Sequence, residues 1–217
     1  LIKQRVRMKN LKTDRTKVRR IPKRGHYDKK NIYSIIDEAM ICHVGFVMND
    51  TPYVIPTIHA RIDDTLYLHG SVASQMLDSV TKSNICITMT IVDGIVLARS
   101  LFHHSMNYRS VVVLGKGNLV SDSKERLLAL KAVSDHLVEK RWDDARQPSK
   151  KELKATTVIA ININEASAKI RSGPPIDEED DYNLPVWAGV VPIKTISEKP
   201  VADPKLKQGI SLPEYLK

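Results

Sequence analysis

Short runs of apolar and β-branched residues, separated by turn-forming residues, dominate the chain. The segments 49–52 (Asn-Asp-Thr-Pro) and 63–64 (Asp-Asp) divide the first three runs, and Asp93-Gly94 reads as a hairpin turn between two later ones. This alternation predicts a set of antiparallel strands. The predicted strands are 41–48, 53–61, 65–69, 84–92, 95–101, 108–120, 156–164 and 185–193.

Three other segments repeat apolar residues at helical spacing. Asp28 is a suitable N-cap for a helix over 29–40, and Ser71 or Ser74 could cap a helix within 71–82. The longest helical pattern covers 123–142.

The acidic run 177–181 follows a Gly-Pro-Pro break and is predicted to be a surface loop.

Many short strands with a few inserted helices favour a small closed or partly closed barrel, because closure removes the exposed strand edges. They do not fit a parallel sheet built from strand–helix–strand units. The sequence therefore predicts a mainly β fold with helices, of the α+β class, with antiparallel pairing.

Composition indicates one substantial core and a reducing environment. The chain has 217 residues, of which 42% are hydrophobic. It contains no apolar run of 18 residues or more, so we expect a soluble, cytoplasmic protein without a membrane partner. Its two cysteines, Cys42 and Cys86, lie in apolar runs and are predicted to be reduced thiols.

The positive charge is concentrated at the start of the chain. The net charge is +9, but residues 1–24 alone carry eleven Lys or Arg and one acid. The remainder is close to neutral, which argues against a globular nucleic-acid-binding platform. We predict three parts: a basic, mostly solvated arm over 1–17, a body over 18–195, and a C-terminal extension over 196–217. The arm is expected to be dispensable for folding and cofactor binding, because its five apolar residues are too few to offset the entropy of ordering it.

Six segments match, in order, the pattern of a known family. Three central segments carry most of the match, an Arg-Gly-His-Tyr-Asp segment precedes them and two late segments follow, so that the match extends over about residues 18–193. The segments are 24–28, 54–61 (Val-Ile-Pro-Thr-Ile-His-Ala-Arg), 66–77 (Leu-Tyr-Leu-His-Gly-Ser-Val-Ala-Ser-Gln-Met-Leu), 98–111 (Ala-Arg-Ser-Leu-Phe-His-His-Ser-Met-Asn-Tyr-Arg-Ser-Val), 169–175 and 187–190. Together they resemble the flavin-nucleotide-binding, nitroimidazole-resistance-type branch of the pyridoxamine 5'-phosphate oxidase-like superfamily. The resemblance implies an FMN-binding split β-barrel with a Greek-key-like order of antiparallel strands.

The resemblance implies that the flavin phosphate binds where a strand runs through Gly70 into a serine-rich helix start. Backbone N–H groups and hydroxyls meet at such a turn, with Ser71, Ser74 and Gln75 as contacts. Gly70 would let the backbone approach the ligand, and His69 could donate to a phosphate or ribityl oxygen. The alternative is an ordinary strand-to-helix turn with capping serines.

By the same resemblance, the isoalloxazine ring lies along the strand that carries Pro56, Thr57 and Ile58. Pro56 has no N–H, which suits an edge or a bulge. Arg61, at the end of this strand, is either a phosphate partner or a solvated turn charge.

The third segment adds four secondary candidates, His103, His104, Asn107 and Arg109. Adjacent strand residues point to opposite faces, so the two histidines are not expected to chelate one metal ion. One of them is expected to line the flavin or dimer cleft.

The function implied is an FMN-binding oxidoreductase of unknown substrate, working as a homodimer with an interface near 108–114. No residue is identified as a general acid or base. The chain lacks the Arg-rich phosphate strand and the Arg/His tail of authentic pyridoxamine-phosphate oxidases, so that oxidase activity is not carried over. Two alternatives are a non-catalytic flavin carrier or sensor, and a haem-binding split-barrel protein with His103 or His104 as axial ligand.

Overall fold

Two antiparallel sheets form the body of the protein, which a computed structural model describes for residues 10–217. The strands are β1 (Gly25–His26), β2 (Cys42–Met48), β3 (Thr51–Thr57), β4 (Ala60–Ile62), β5 (Thr65–Ser71), β6 (Ile85–Leu97), β7 (Ser105–Gly115), β8 (Asn118–Leu119), β9 (Thr156–Asn162), β10 (Glu165–Arg171) and β11 (Gly189–Pro192). The first sheet has the order β1-β10-β7-β6-β2-β3, with β11 paired to β6. The second has the order β4-β5-β9-β8. This architecture confirms the predicted mainly β class, and the division into two sheets is the split of the barrel.

Helices pack against both of these sheets. The α-helices are α1 (Lys29–Glu38), α2 (Gln75–Lys82), α3 (Ser123–Leu137), α4 (Arg141–Asp144) and α5 (Lys150–Lys154). Asp28 caps α1 by accepting a hydrogen bond from the N–H of Asn31, as the sequence predicts. The buried face of α1, formed by Ile32, Ile35 and Ile36, packs into the main core with residues of both sheets.

Two predicted strands each divide into two, because the chain crosses from one sheet to the other. The predicted strand 53–61 becomes β3 and β4, and the fully buried His59 lies at the crossing. The predicted strand 108–120 becomes β7 and β8, with Gly115 and Gly117 at the crossing. A Cβ on Gly117 would lie 2.6 Å from Ile159 Cγ2, so only glycine fits there.

The hairpin predicted at Asp93-Gly94 is wrong. Strand β6 continues through both residues, with a register shift between Val92 and Gly94 opposite β7. A Cβ on Gly94 would come within 3.0 Å of Val190 and Val191 of β11, so this glycine permits a close strand approach instead of a turn.

Other element boundaries differ from the prediction. Strand β10 was not predicted, and it pairs with β7 on one side and β1 on the other. Helix α2 begins at Gln75, and α3 ends at Leu137 instead of continuing to Trp142.

The acidic run is not simply a surface loop. Asp177 is buried, and its carboxylate accepts hydrogen bonds from the backbone N–H groups of Arg99 (3.0 Å) and Ser100 (3.1 Å) and from the Arg99 guanidinium (3.2 Å). Burial alone would raise the pKa of the Asp177 carboxyl, but these hydrogen bonds lower it below its ordinary value. Asp177 therefore anchors this segment to the end of β6.

The second half of the predicted arm belongs to the folded body. Leu11 is 1% exposed within the main core, and its carbonyl accepts a hydrogen bond from the N–H of Ala166 at 3.0 Å. Thr16 is also buried, and Arg15 forms an ion pair with Glu165 at 2.7 Å. A solvated arm is therefore wrong for residues 10–17, whereas residues 1–9 lie outside the described part of the chain.

Candidate functional site

Strand β5 and the start of α2 bring four of the predicted phosphate-site residues together. Ser74 is the N-cap of α2, and its hydroxyl accepts the N–H of Leu77 at 3.3 Å. The Ser71 hydroxyl accepts the N–H of Ala73 at 3.2 Å. Each hydroxyl uses a lone pair in this way and keeps its proton for donation to a ligand. The first N–H groups of α2, beginning with Gln75, have no acceptor inside the helix.

Gly70 has a packing role at this turn. A Cβ at this position would lie 3.1 Å from Leu77 Cδ1, so the glycine lets α2 lie close against β5. Exposure is high from Ser71 to Ala73, which leaves this backbone open to a ligand.

The strand predicted to carry the flavin ring is an edge strand. β3 pairs with β2 on one side and ends the first sheet on the other. Pro56 and Thr57 lie on this strand opposite His43 and Cys42 of β2, and a proline is tolerated on such an edge strand. Ile58, which follows β3, turns towards a cavity beside the second sheet.

This cavity, which we call the His69 cavity, has a volume of about 470 Å³. Its walls come from the ends of β3 and β5, from α3, and from the α4–α5 region. The lining residues are Ile58, His69, Leu130, Val133, Ser134, Leu137, Trp142, Arg146, Pro148, Glu152, Leu153 and Thr156. Most of them are apolar, and His69 is the only imidazole among them.

The structure places His69 at the wall of this cavity, and its role as a donor to the flavin stays a prediction. It precedes Gly70 on a strand, so the two residues face opposite sides of β5, and His69 faces the cavity. Its Nδ1 is buried and has no hydrogen-bond partner among the described residues. Desolvation by burial lowers the pKa of this imidazole, so it is neutral at physiological pH and offers a nitrogen lone pair.

An ion pair borders the same cavity. The Arg146 guanidinium contacts both carboxylate oxygens of Glu152, at 2.7 and 3.0 Å. This contact, together with the N–H of Ser149, lowers the pKa of Glu152 to about 2. Arg146 is largely exposed, so it marks the solvent side of the cavity.

The Arg61 side chain makes its contacts with residues outside the predicted phosphate turn. Its guanidinium forms an ion pair with Asp37, donates to the carbonyl of Asp63 at 2.6 Å, and stacks on the ring of Tyr33 at 4.3 Å. Neither a free phosphate partner nor a solvated turn charge describes it. Its phosphate role stays a prediction that would require these contacts to break.

The four candidates of the third segment form a separate group near the start of β7. His103 lies in a short 3₁₀ helix, 3.6 Å from Glu178, and His104 contacts the carbonyl of Ala98 at 3.2 Å. Asn107 is buried and accepts a hydrogen bond from Arg171. Within residues 10–217, no hydrogen bond or ion pair joins this group to the phosphate turn.

Arg109 has structural partners. It bridges Glu38 at the end of α1 and Asp93 of β6, and both contacts raise its pKa. Arg109 therefore ties α1 to the first sheet.

Sequence reasoning missed the wall of the His69 cavity formed by α3, Trp142 and α5. These residues approach β5 only through the fold, and the helical pattern gave no sign of which face would meet a histidine. It also missed the pair formed by the rings of His59 and His136, whose centroids are 4.7 Å apart.

The described part of the chain has no cluster of three or more His, Cys, Asp or Glu side chains that could hold a metal ion. None of the helices in that part has the length and apolarity needed to cross a bilayer.

Comparison with protein families and solved structures identifies relatives. The family model described as pyridoxamine 5'-phosphate oxidase matches residues 28–170. The flavocytochrome Anf3 from Azotobacter vinelandii is 38% identical, with a TM-score of 0.90 over 94% of this chain and 95% of that chain. A FAD and haem binding protein from Mycobacterium smegmatis is 30% identical, with a TM-score of 0.84 over 88% of this chain and 95% of that one.

A candidate 5-nitroimidazole antibiotic resistance protein from Bacteroides thetaiotaomicron is also similar, at 27% identity and a TM-score of 0.57. That alignment covers 67% of this chain and 86% of the other. No curated protein matches the chain.

Proposed function

Because the chain belongs to the pyridoxamine 5'-phosphate oxidase family, we propose that it is a flavin-binding redox protein whose flavin phosphate binds at the start of α2. One observation carries the proposal. Ser71 and Ser74 each accept a backbone N–H through the side-chain oxygen, and among the described residues neither hydroxyl donates a hydrogen bond, so both protons can be donated to a ligand. These hydroxyls and the free N–H groups of α2 offer several donors to one phosphate.

The fit of a flavin to these residues rests on the edge strand as well. The free edge of β3 supplies backbone groups for the polar rim of the ring, next to Pro56 and Thr57. When bound, the flavin supplies hydride or single-electron chemistry, and the protein binds and orients it. In this proposal, backbone N–H groups and serine hydroxyls bind the flavin phosphate, and the Arg61 guanidinium does not.

One relative is described as binding FAD, whereas the resemblance in the sequence implied FMN. The Mycobacterium smegmatis protein is described as binding FAD, and this chain covers most of its length. Both nucleotides carry the phosphate that the α2 start would hold. The proposal is therefore a flavin site with FAD as its occupant.

We expect the purified full chain to contain one flavin per protomer, released as FAD on denaturation. Absorbance and fluorescence of the released cofactor, with separation of FAD from FMN by chromatography, measure this directly. FMN alone would contradict the dinucleotide but keep the flavin site. Protein that neither carries nor binds either flavin would overturn the proposed function.

The proposed assembly is a homodimer. On β7, Val111 and Val113 are fully buried inside the barrel, whereas Val112 and Leu114 point to the other face and are partly exposed. In the short segment before β7, Leu101 and Phe102 are 83% and 90% exposed. Exposed apolar side chains of this size favour a protein contact.

Light scattering at micromolar concentration should give twice the 24.5 kDa mass of one chain. Val112→Lys, which places a charge on the outer face of β7, should shift the sample towards the monomer. A monomeric mass for the flavin-bound natural sequence would contradict the homodimer.

A further inference from the structure

We propose that Arg24 and Arg171 form a binding site for the phosphate group of a small-molecule ligand, at one edge of the first sheet. Arg171 ends β10, and Arg24 comes directly before β1. The two strands are antiparallel with Gly25 opposite Lys169, so the residue before Gly25 runs alongside the end of β10. The site uses no residue of the proposed flavin turn, and the inference does not depend on the proposed function.

Arg171 is a buried cation that forms no ion pair in the described part of the chain. It is 7% exposed, and its guanidinium donates to the side-chain oxygen of Asn107 and to the carbonyls of Gly173 (3.3 Å) and Pro174 (3.2 Å). All three acceptors are neutral. Buried charges are normally paired with an opposite charge, because the loss of hydration is costly. An anionic ligand would supply the missing charge.

A second positive charge makes the burial of Arg171 less favourable. Burial lowers the pKa of the Arg171 guanidinium most, the charge of Arg24 lowers this pKa further, and Tyr108 acts in the opposite direction. No carboxylate of the described residues contributes to this pKa. Because an arginine does not lose its proton in a protein, two positive charges are held close together here.

Other arginines of the fold are neutralised inside the protein. Three that are less buried than Arg171 each form an ion pair with an acid, and they are Arg61, Arg99 and Arg109. Residues 1–9 contain no Asp or Glu, so that segment has no acidic side chain to offer Arg171. The partner of Arg171 is therefore expected to come from outside the chain.

The unused donors at this place suit a phosphate. In the described part of the chain, the N–H on Nε of Arg171 and one N–H on its Nη2 have no acceptor, and the Arg24 side chain makes no hydrogen bond. Tyr108 is the partner of Arg171 across β7 and β10, so both side chains lie on one face of the sheet and the hydroxyl can donate as well. Two guanidinium groups and a hydroxyl can contact three terminal phosphate oxygens, whereas a carboxylate has only two.

The surrounding surface attracts anions. Residues 15–24 contain six Lys or Arg and no acid. Apart from Arg15, which pairs with Glu165, none of these six forms an ion pair within residues 10–217. Such a surface raises the local concentration of an anionic ligand, and the two neighbouring guanidinium groups of Arg24 and Arg171 give its phosphate a defined position.

The test is calorimetric titration of the purified full chain with phenyl phosphate at constant ionic strength. We expect saturable binding of one ligand per chain, weakened at least about tenfold in Arg24→Gln through the loss of a hydrogen bond between charged groups. Arg19→Gln is the matched control, because it removes the same charge from the same surface but Arg19 does not contribute to the pKa of Arg171. Equal weakening in the two variants would show non-specific attraction and overturn the site, as would a lack of saturable binding.

Melting temperatures separate a ligand site from a purely structural role of Arg171. Without phosphate, Arg24→Gln should melt no lower than the natural sequence, because it removes a positive charge near Arg171 and no hydrogen bond of the described structure. With phenyl phosphate, the natural sequence should gain more than this variant, since a ligand that binds only the folded state stabilises it according to its affinity. Equal gains would contradict the site.

Benzoate and bound flavin complete the test. Benzoate places a carboxylate on the same ring and should bind more weakly than phenyl phosphate, and binding of equal strength would overturn the phosphate assignment. Flavin-free and flavin-loaded protein should bind phenyl phosphate equally, whereas competition would show that Arg24 and Arg171 hold the flavin phosphate and refute a separate site. Protein that binds phenyl phosphate but never flavin would refute the proposed function and leave this site standing.

Discussion

Replacing Leu11 by alanine should lower the free energy of unfolding by about 2 to 5 kcal/mol, the usual cost of truncating a buried leucine. Leu11 is 1% exposed and packs in the main core, although it lies in the most basic part of the chain. Its backbone is also held on both sides, by Tyr27 at 3.3 Å and Ala166 at 3.0 Å. Urea unfolding followed by circular dichroism measures the change.

Leu128→Ala is the matched control, because Leu128 is 60% exposed on α3 and its truncation should change stability by less than about 0.5 kcal/mol. A chain that begins at Val18 should be destabilised at least as much as Leu11→Ala, since it also loses Thr16 and the Arg15–Glu165 ion pair. Equal unfolding curves for Leu11→Ala and Leu128→Ala would show that the segment does not pack in solution. The dispensable arm predicted from composition would then stand.

The error about Leu11 shows where composition misleads. Five apolar residues among many like charges suggested a solvated arm, and average composition was the only signal used. A single leucine can still be buried when the barrel leaves a gap for it, and the neighbouring lysines and arginines extend into solvent. The sequence does not show that gap, because strands far apart in the chain form it.

Strand prediction succeeded where alternation was strong and failed where pairing decided the structure. β2 was predicted nearly to its ends because its apolar positions alternate with exposed ones. β10 was missed because its central Ala-Ser-Ala has weak strand preference, yet pairing with β7 and β1 holds it extended. Asp93-Gly94 was misread because the glycine accommodates β11, a neighbour ninety-five residues later in the chain.

The candidate site also combines features that local sequence predicts with features that only the fold creates. The turn from Gly70 to Gln75 was predictable because cap and strand signals are local. The environment of His69 was not, since its cavity depends on α3 and α5 reaching β5 through the fold. The same fold directs Arg61 to Asp37, a contact between α1 and β4 that local sequence does not encode.

The combined change of Ser71→Ala and Ser74→Ala should weaken flavin binding by about a hundredfold or more. Each hydroxyl is proposed to donate to the flavin phosphate, and a hydrogen bond to a charged group contributes about 1.5 to 3 kcal/mol. Loss of two such bonds amounts to at least about 3 kcal/mol, and 1.4 kcal/mol corresponds to a tenfold change in Kd. Fluorescence titration of flavin-free protein with FAD gives the two affinities.

The same substitutions remove hydrogen bonds within the protein, so their effect on the fold must be separated from their effect on the ligand. Ser74 caps α2, and losing such a cap costs about 1 kcal/mol of stability. Asp28→Ala removes the cap of α1, away from the flavin turn, and should lower the melting temperature to a similar degree without changing the Kd for FAD. Each single serine variant should account for roughly half of the loss, because the two hydroxyls would donate to one phosphate independently. If the double variant binds FAD as tightly as the natural sequence while Asp28→Ala behaves in the same way, the serines are only caps, and the phosphate must bind elsewhere.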